Sequence, residues 1–169
     1  MSEMKIKFRS ANLNDLDEIC SLVSNVVNTM LSMGISQWDE LYPTREDFKE
    51  DIVKKQLYMG LIDGHIAVIY ALNQEFDKEY DNGDWRYKDE PFCVIHRLCV
   101  NPKFQNKGLA KSTLAHIEEE LKALGIHVIR LDVFSKNPFA QRLYSNHGFS
   151  KVGCVQWRKG TFYLMEKYI

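Results

Sequence analysis

Two periods of apolar residues alternate along the chain. Ile6-Lys7-Phe8-Arg9 steps by two and predicts a short opening strand. Behind Asn12 and Asp15, spaced as an N-cap pair, Leu13, Leu16, Ile19, Val23, Val26, Val27 and Met30 recur at helical intervals until Gly34. Gly34-Ile35-Ser36-Gln37-Trp38 reads as a loop, and Thr44 is placed to cap a second helix over 45–55. Apolar runs over 57–63 and 65–74 flank Asp63-Gly64, a pair that accepts the left-handed backbone of a tight hairpin turn. The stretch 76–92 is polar and rich in turn residues, which predicts a long irregular excursion. The run 93–100 is apolar on both faces, as a buried central strand is. Ala110, Leu114, Ile117, Leu121 and Leu124 then step by four and three along a helix closed by Gly125, and 127–134 returns to a strand. Strand, helix, strand in that order predicts a right-handed parallel crossover. Asn137-Pro138 opens a last helix, with Ala140, Leu143, Tyr144 and His147 on one face before Gly148. Strands over 150–155 and 162–168, joined through Lys159-Gly160, complete a mixed sheet with helices on its faces.

Composition narrows the function. A chain of 169 residues, 45% hydrophobic and 27% charged, is expected to form one soluble domain over 1–169. A formal net charge of -1 leaves no electrostatic footprint for nucleic acid or an anionic membrane, so any basic site is local. Cys20, Cys93, Cys99 and Cys154 form no C-x-x-C pair and no zinc spacing, which predicts reduced thiols and no metal. With no apolar leader core in residues 1–12 and no apolar run long enough to span a bilayer, the expected location is the cytoplasm. The C-terminal strands offer edges for a homodimer.

The candidate chemistry begins at Val100-Asn101-Pro102-Lys103-Phe104-Gln105-Asn106-Lys107-Gly108-Leu109-Ala110. A strand stops at proline, a short polar loop with one glycine follows, and a helix opens at once. A helix N-terminus leaves N–H groups unpaired and carries partial positive charge, so it suits a phosphate. Gly108 lets the backbone approach an anion without a Cβ between them. One glycine is neither a dinucleotide fingerprint nor a P-loop, and a plain strand–loop–helix connection is the competing reading.

Gln105-Asn106-Lys107-Gly108-Leu109-Ala110 also matches Gln/Arg-x-x-Gly-x-Gly/Ala, the phosphate-binding pattern of the GNAT superfamily of acyl-CoA-dependent N-acyltransferases. Asn137-Pro138-Phe139-Ala140-Gln141-Arg142-Leu143-Tyr144-Ser145-Asn146-His147-Gly148-Phe149 is similar to the second signature of that family, and the element order agrees along nearly the whole chain. The resemblance implies an α/β (α+β) fold: a mixed, mostly antiparallel sheet of about seven strands, with a central parallel pair that splays apart and helices on both faces. It implies acetyl-CoA as cosubstrate and transfer of its acetyl group to a primary amine, a small molecule in the first reading. The alternatives are a protein N-terminus or lysine, or a non-catalytic CoA-binding module. By the same resemblance, the amides of Gln105, Asn106, Lys107, Gly108, Leu109 and Ala110 would hold the pyrophosphate, with Lys111 and Ser112 adding side-chain contacts. The backbone of Leu98, Cys99 and Val100 would pair with the pantetheine arm as an added strand does. Asn137 would bond that arm, cap its helix, or both, and Arg142 would reach a cofactor phosphate.

Acyl transfer to an amine needs a neutral nitrogen, a polarised carbonyl and a proton for the departing thiolate. Tyr144 holds the family position facing the sulfur, and a phenol of ordinary pKa about 10 suits a thiolate of similar basicity. His96 alternates with Leu98 and Val100 on one strand face, which makes it a base or a hydrogen-bonded core group, with a water chain as the other route. Arg97 on the opposite face is expected to pair with Asp132. Trp38, Asp39 and Tyr42 are expected to line the acceptor pocket, offering aromatic surface and a carboxylate to a cationic amine. The charges of 76–92 are expected to be a solvated face.

Overall fold

A computed structural model describes residues 5–169. The strands are β1 (Lys7–Ser10), β2 (Leu57–Ile62), β3 (His65–Asn73), β4 (Phe92–Val100), β5 (Val128–Phe134), β6 (Ser150–Trp157) and β7 (Gly160–Tyr168). The helices are α1 (Leu16–Ser32), α2 (Arg45–Val53), α3 (Leu109–Ala123) and α4 (Pro138–Asn146). The sheet order is β1-β2-β3-β4-β5-β7-β6. The β1–β2, β2–β3, β5–β7 and β6–β7 pairs are antiparallel, and β4 and β5 are parallel.

Local chemistry sets most boundaries. Asn12 and Asp15 close a capping box, and the turn they cap is a single 3-10 turn, Leu13–Asp15, that runs into α1. Thr44 and Asp47 form a second capping box ahead of α2. At the β2–β3 turn Asp63 (φ 50) and Gly64 (φ 80) are both left-handed, as a two-residue hairpin requires. Asn137 Oδ1 accepts from Ala140 N–H at 3.1 Å, and Pro138 fills the first turn of α4, where a missing N–H costs nothing.

The chain packs as two units. One contains residues 5–72 together with Arg97–Thr113; the other contains Asn73–His96 and Leu114–Ile169. In the first, Leu16, Ile19, Leu22, Val23 and Val26 of α1 pack with Phe48 and Ile52 of α2 onto Leu57, Met59, Ile69 and Ala71. Leu109 opens α3 against Ile62 and Ala67, in a separate cluster from the one that receives α1 and α2. Removing such fully buried side chains from water contributes about 1.5–3 kcal/mol each.

In the second unit, the charges of 76–92 lie exposed as expected, apart from the half-buried Glu79, but the segment is more than a solvated face. It contains a 3-10 helix, Lys78–Asn82, and buries Tyr80 and Trp85 with Val94, Val152, Val155 and Leu164. Polar groups stitch it down: Tyr80 Oη donates to Asp132 Oδ2 (2.7 Å), Trp85 Nε1 to Tyr80 O (2.7 Å), and Arg86 N–H to Glu166 Oε1 (2.8 Å). Arg130 donates to Glu166 Oε2 (3.1 Å) and Tyr87 O (3.1 Å), and its guanidinium lies 4.4 and 4.0 Å from the Trp85 and Phe92 ring centroids. The segment is polar between its aromatic anchors, so its average hydropathy hid them.

Candidate active site

The phosphate loop belongs to the first unit. After β4, Asn101 Oδ1 accepts from Lys103 N–H (3.0 Å) and its Nδ2 donates to Ile66 O (2.9 Å), which pins the loop's start to β3. A 3-10 turn, Pro102–Phe104, follows, and Asn106 (φ 63) and Gly108 (φ 73) then turn the backbone left-handed on either side of Lys107. The Lys107 ammonium sits 5.9 Å from the Phe104 ring centroid. Gln105 N–H donates back to Pro102 O at 3.4 Å, and the next amide to return into the loop is Ser112 N–H, which donates to Gly108 O at 3.0 Å. The amides before it open α3 and have no helical acceptor to reach. A Cβ on Gly108 would meet no protein atom within 4 Å. An open cradle at the start of a fifteen-residue helix fits a diphosphate. Gln105 to Ser112 thus fall together, with Lys107, Lys111 and Ser112 exposed.

Ahead of that loop, β4 departs from a regular strand. Its parallel ladder with β5 is registered over Phe92–Val94 against Val128–Arg130, although β4 continues to Val100 and β5 to Phe134. Within β4, Arg97 is left-handed (φ 53), a conformation that costs a non-glycine residue about 1–2 kcal/mol. This kink breaks the two-residue alternation, so the expected common face of His96, Leu98 and Val100 does not follow from their spacing. It also redirects Arg97, which does not pair with Asp132. Its Nε and Nη2 donate to Asp51 Oδ2 (2.9 Å) and Oδ1 (2.7 Å), and Nη1 donates to Tyr42 Oη (2.8 Å). Burial pulls against the Arg97 charge, but Tyr42 and Asp51 together hold its pKa above the ordinary value; burial pushes the Asp51 carboxyl up against the pull of Arg97. Asp51 carried a readable signal, since it shares the buried face of α2 with Phe48 and Ile52. A carboxylate at a core position calls for a buried cation.

The segment before α2 holds the three predicted acceptor residues, and they differ in role. Trp38 is 6% exposed and packs in the α1–α2 core rather than forming an open aromatic wall. Asp39 Oδ1 accepts from Leu41 N–H (2.9 Å) and Tyr42 N–H (3.3 Å), so this oxygen shapes a tight turn. Tyr42, 39% exposed, is the most open of the three, although its hydroxyl is turned to Arg97.

The second unit holds Tyr144 and His96. Tyr144 is buried on α4, its ring edge-on to Phe149 at 5.7 Å, and its carbonyl accepts from Phe149 N–H at 3.0 Å. Gln141 Nε2 donates to Ser135 O at 2.8 Å, tying α4 to the end of β5. His96 Nε2 lies 2.9 Å from Asn73 Oδ1 and 3.0 Å from Glu75 O. Asn73 is a buried polar side chain that sequence pattern alone passed over, because it ends an otherwise apolar run. Arg142 is exposed on α4. Cys99 is buried, and this burial pushes its thiol up to about 12; burial also raises Cys93. Among the described residues, no group of three or more His, Cys, Asp or Glu side chains is placed to hold a metal, and no helix is long and apolar enough to cross a membrane.

The profile of the Acetyltransferase (GNAT) family matches residues 28–149, and the chain belongs to that family of acetyl-CoA-dependent N-acetyltransferases. A GNAT-family acetyltransferase from Streptococcus agalactiae superposes with a TM-score of 0.87 at 26% identity, covering 97% of this chain and 95% of that one. The [ribosomal protein bS18]-alanine N-acetyltransferase of Haemophilus ducreyi is 38% identical over 60 residues, 36% of this chain and 41% of the relative. The L-methionine sulfoximine/L-methionine sulfone acetyltransferase of Salmonella typhimurium is 35% identical over 69 residues, 40% of each chain. The aligned part thus spans about two fifths of either relative's length.

Proposed function

We propose that the chain transfers the acetyl group of acetyl-CoA to a primary amine of a small molecule by direct attack. The observation that carries this reading is the open, left-handed loop Gln105–Ala110 at the start of α3. In it the amides of Gln105 to Ala110 hold the diphosphate, and Lys111, Ser112 and Arg142 supply further contacts to phosphate. Leu98, Cys99 and Val100 offer backbone groups to the pantetheine amides, and Asn137 bonds the same arm while its Oδ1 caps α4. Acetyl-CoA supplies a thioester carbonyl; the amine nitrogen bonds to its carbon as the carbon–sulfur bond breaks.

Each proton then has a donor or acceptor in this chain. His96 takes the proton that the amine loses. Tyr144 gives its phenol proton to the departing thiolate, and a backbone N–H of the Leu98–Val100 stretch steadies the carbonyl oxygen. Tyr42 lines the acceptor side, with Trp38 and Asp39 supporting the loop that carries it. The domain acting as one catalytic module over 1–169 is part of this reading.

A protein N-terminus is the second reading, favoured by the 38% match to a ribosomal-protein alanine acetyltransferase. Thiol release from acetyl-CoA distinguishes the two, measured with a panel of free amines and amino acids and with peptides beginning in alanine. Turnover confined to small amines supports the first reading, and turnover confined to peptides replaces it with the second. Absence of turnover despite acetyl-CoA binding would leave a non-catalytic CoA-binding module.

A further inference from the structure

We propose that Asn73 is a positioning residue for His96: with the Glu75 carbonyl it holds the imidazole proton on Nε2 and leaves the lone pair of the neutral ring on Nδ1. This rests on the reading of His96 as the base. The argument is one of donors and acceptors. His96 Nε2 lies 2.9 Å from Asn73 Oδ1 and 3.0 Å from Glu75 O. A backbone carbonyl only accepts. The Asn73 atom is fixed as oxygen by a second partner, Glu75 N–H, which donates to it at 2.9 Å. Two acceptors facing one ring nitrogen require an N–H there, and a neutral imidazole has only one such proton. The lone pair therefore resides on Nδ1.

The same three bonds form one closed unit. Asn73 ends β3, and its side chain bends the chain back so that Glu75 presents its carbonyl to the ring. Removing the Asn73 amide thus removes one acceptor and loosens the other. The choice of amide over carboxylate also matters. A carboxylate at that distance would stabilise the imidazolium and keep Nδ1 protonated at higher pH. An amide fixes the tautomer without adding charge. Of the charged residues beside the ring in sequence, Glu75 contributes its carbonyl, and Arg97 is engaged by Asp51 and Tyr42.

Imidazole nitrogen resonances of the full-length protein test this without any acceptor, with His96 assigned by comparison to the His96→Gln spectrum. At a pH where His96 is neutral, its Nε2 should carry the protonated-type resonance and Nδ1 the bare-nitrogen type. Asn73→Leu should shift the ring towards a mixture of tautomers. A wild-type proton on Nδ1, or an unchanged tautomer in Asn73→Leu, would overturn the assignment. Asn73→Asp keeps both acceptors if the leucine variant does not fold. It should hold the proton on Nε2 and raise the His96 titration by about one unit or more; an unmoved titration in that variant also overturns the proposal. Failure of the base reading shows separately, as a fully active His96→Gln enzyme whose parent still has its proton on Nε2.

Discussion

Arg97 grips Asp51 through two hydrogen bonds, Nε to Oδ2 at 2.9 Å and Nη2 to Oδ1 at 2.7 Å, from a backbone held at φ 53. The two side chains are 13% and 7% exposed, so the pair is largely out of water. The bidentate fork therefore balances two charges and holds a strained residue in place, with Tyr42 Oη accepting the third hydrogen bond. Asp51→Asn would leave the guanidinium buried without a counter-charge and should cost about 3–5 kcal/mol in urea unfolding. Tyr42→Phe should cost far less in stability and raise the KM for the amine while leaving that for acetyl-CoA in place. A wild-type melting curve for Asp51→Asn would show the pair to be idle.

Gly108→Ala tests the phosphate loop. Its Cβ meets no protein atom, so the fold's only penalty is the positive φ, about 1–2 kcal/mol. The methyl group does project into the space assigned to phosphate, and CoA affinity by calorimetry should fall at least tenfold. Unchanged affinity in the folded variant would remove the loop from the cofactor site.

Tyr144→Phe keeps the ring that packs edge-on to Phe149 and deletes one oxygen. CoA affinity and melting temperature should stay close to the parent's while turnover drops about a hundredfold or more. Equal turnover, with chemistry shown to limit the rate, would assign the proton to another donor.

Acid stability should depend on Asp15. Arg9 hydrogen bonding holds the Asp15 carboxyl below its ordinary value. A folded-state pKa below the unfolded one contributes stability above the unfolded value, and this is lost as pH falls through the folded one. Unfolding free energies measured from pH 7 down to pH 2 should therefore fall less steeply in Asp15→Asn than in the parent.

Thiol labelling should rank the cysteines. Cys154 is exposed, whereas Cys99 is buried with its thiol pushed up to about 12. Cys154 should react first at pH 8, and Cys99 only on unfolding. Native-state labelling of Cys99 as fast as Cys154 would contradict its burial.

Glu166→Ala should release the 76–92 segment, because Glu166 anchors both Arg86 N–H and the buried Arg130. A loss of about 3–5 kcal/mol and new proteolytic cuts within 76–92 are expected. Resistance equal to the parent's would assign the anchoring to the aromatic contacts alone.

Features that depend on neighbours in the chain were legible from sequence. The Asn12–Asp15 capping pair, the Thr44 cap, the Asp63-Gly64 turn, the Asn137-Pro138 helix start and the Gln105–Ala110 loop all stand where the residues alone put them. Each is built from backbone groups a few residues from the side chain that satisfies them, so no distant partner is needed. The partners of buried charges were not legible, because they come from 46, 52 or 36 residues away: Arg97 with Asp51, Tyr80 with Asp132, Arg130 with Glu166. The left-handed kink at Arg97 decided the first of these. Strand alternation assumes an unbroken period of two, and one residue at positive φ re-aims its side chain and voids the assumption. The tertiary structure alone likewise placed Asn73 against His96, since a lone polar residue in an apolar run shows its purpose only beside the ring nitrogen it faces.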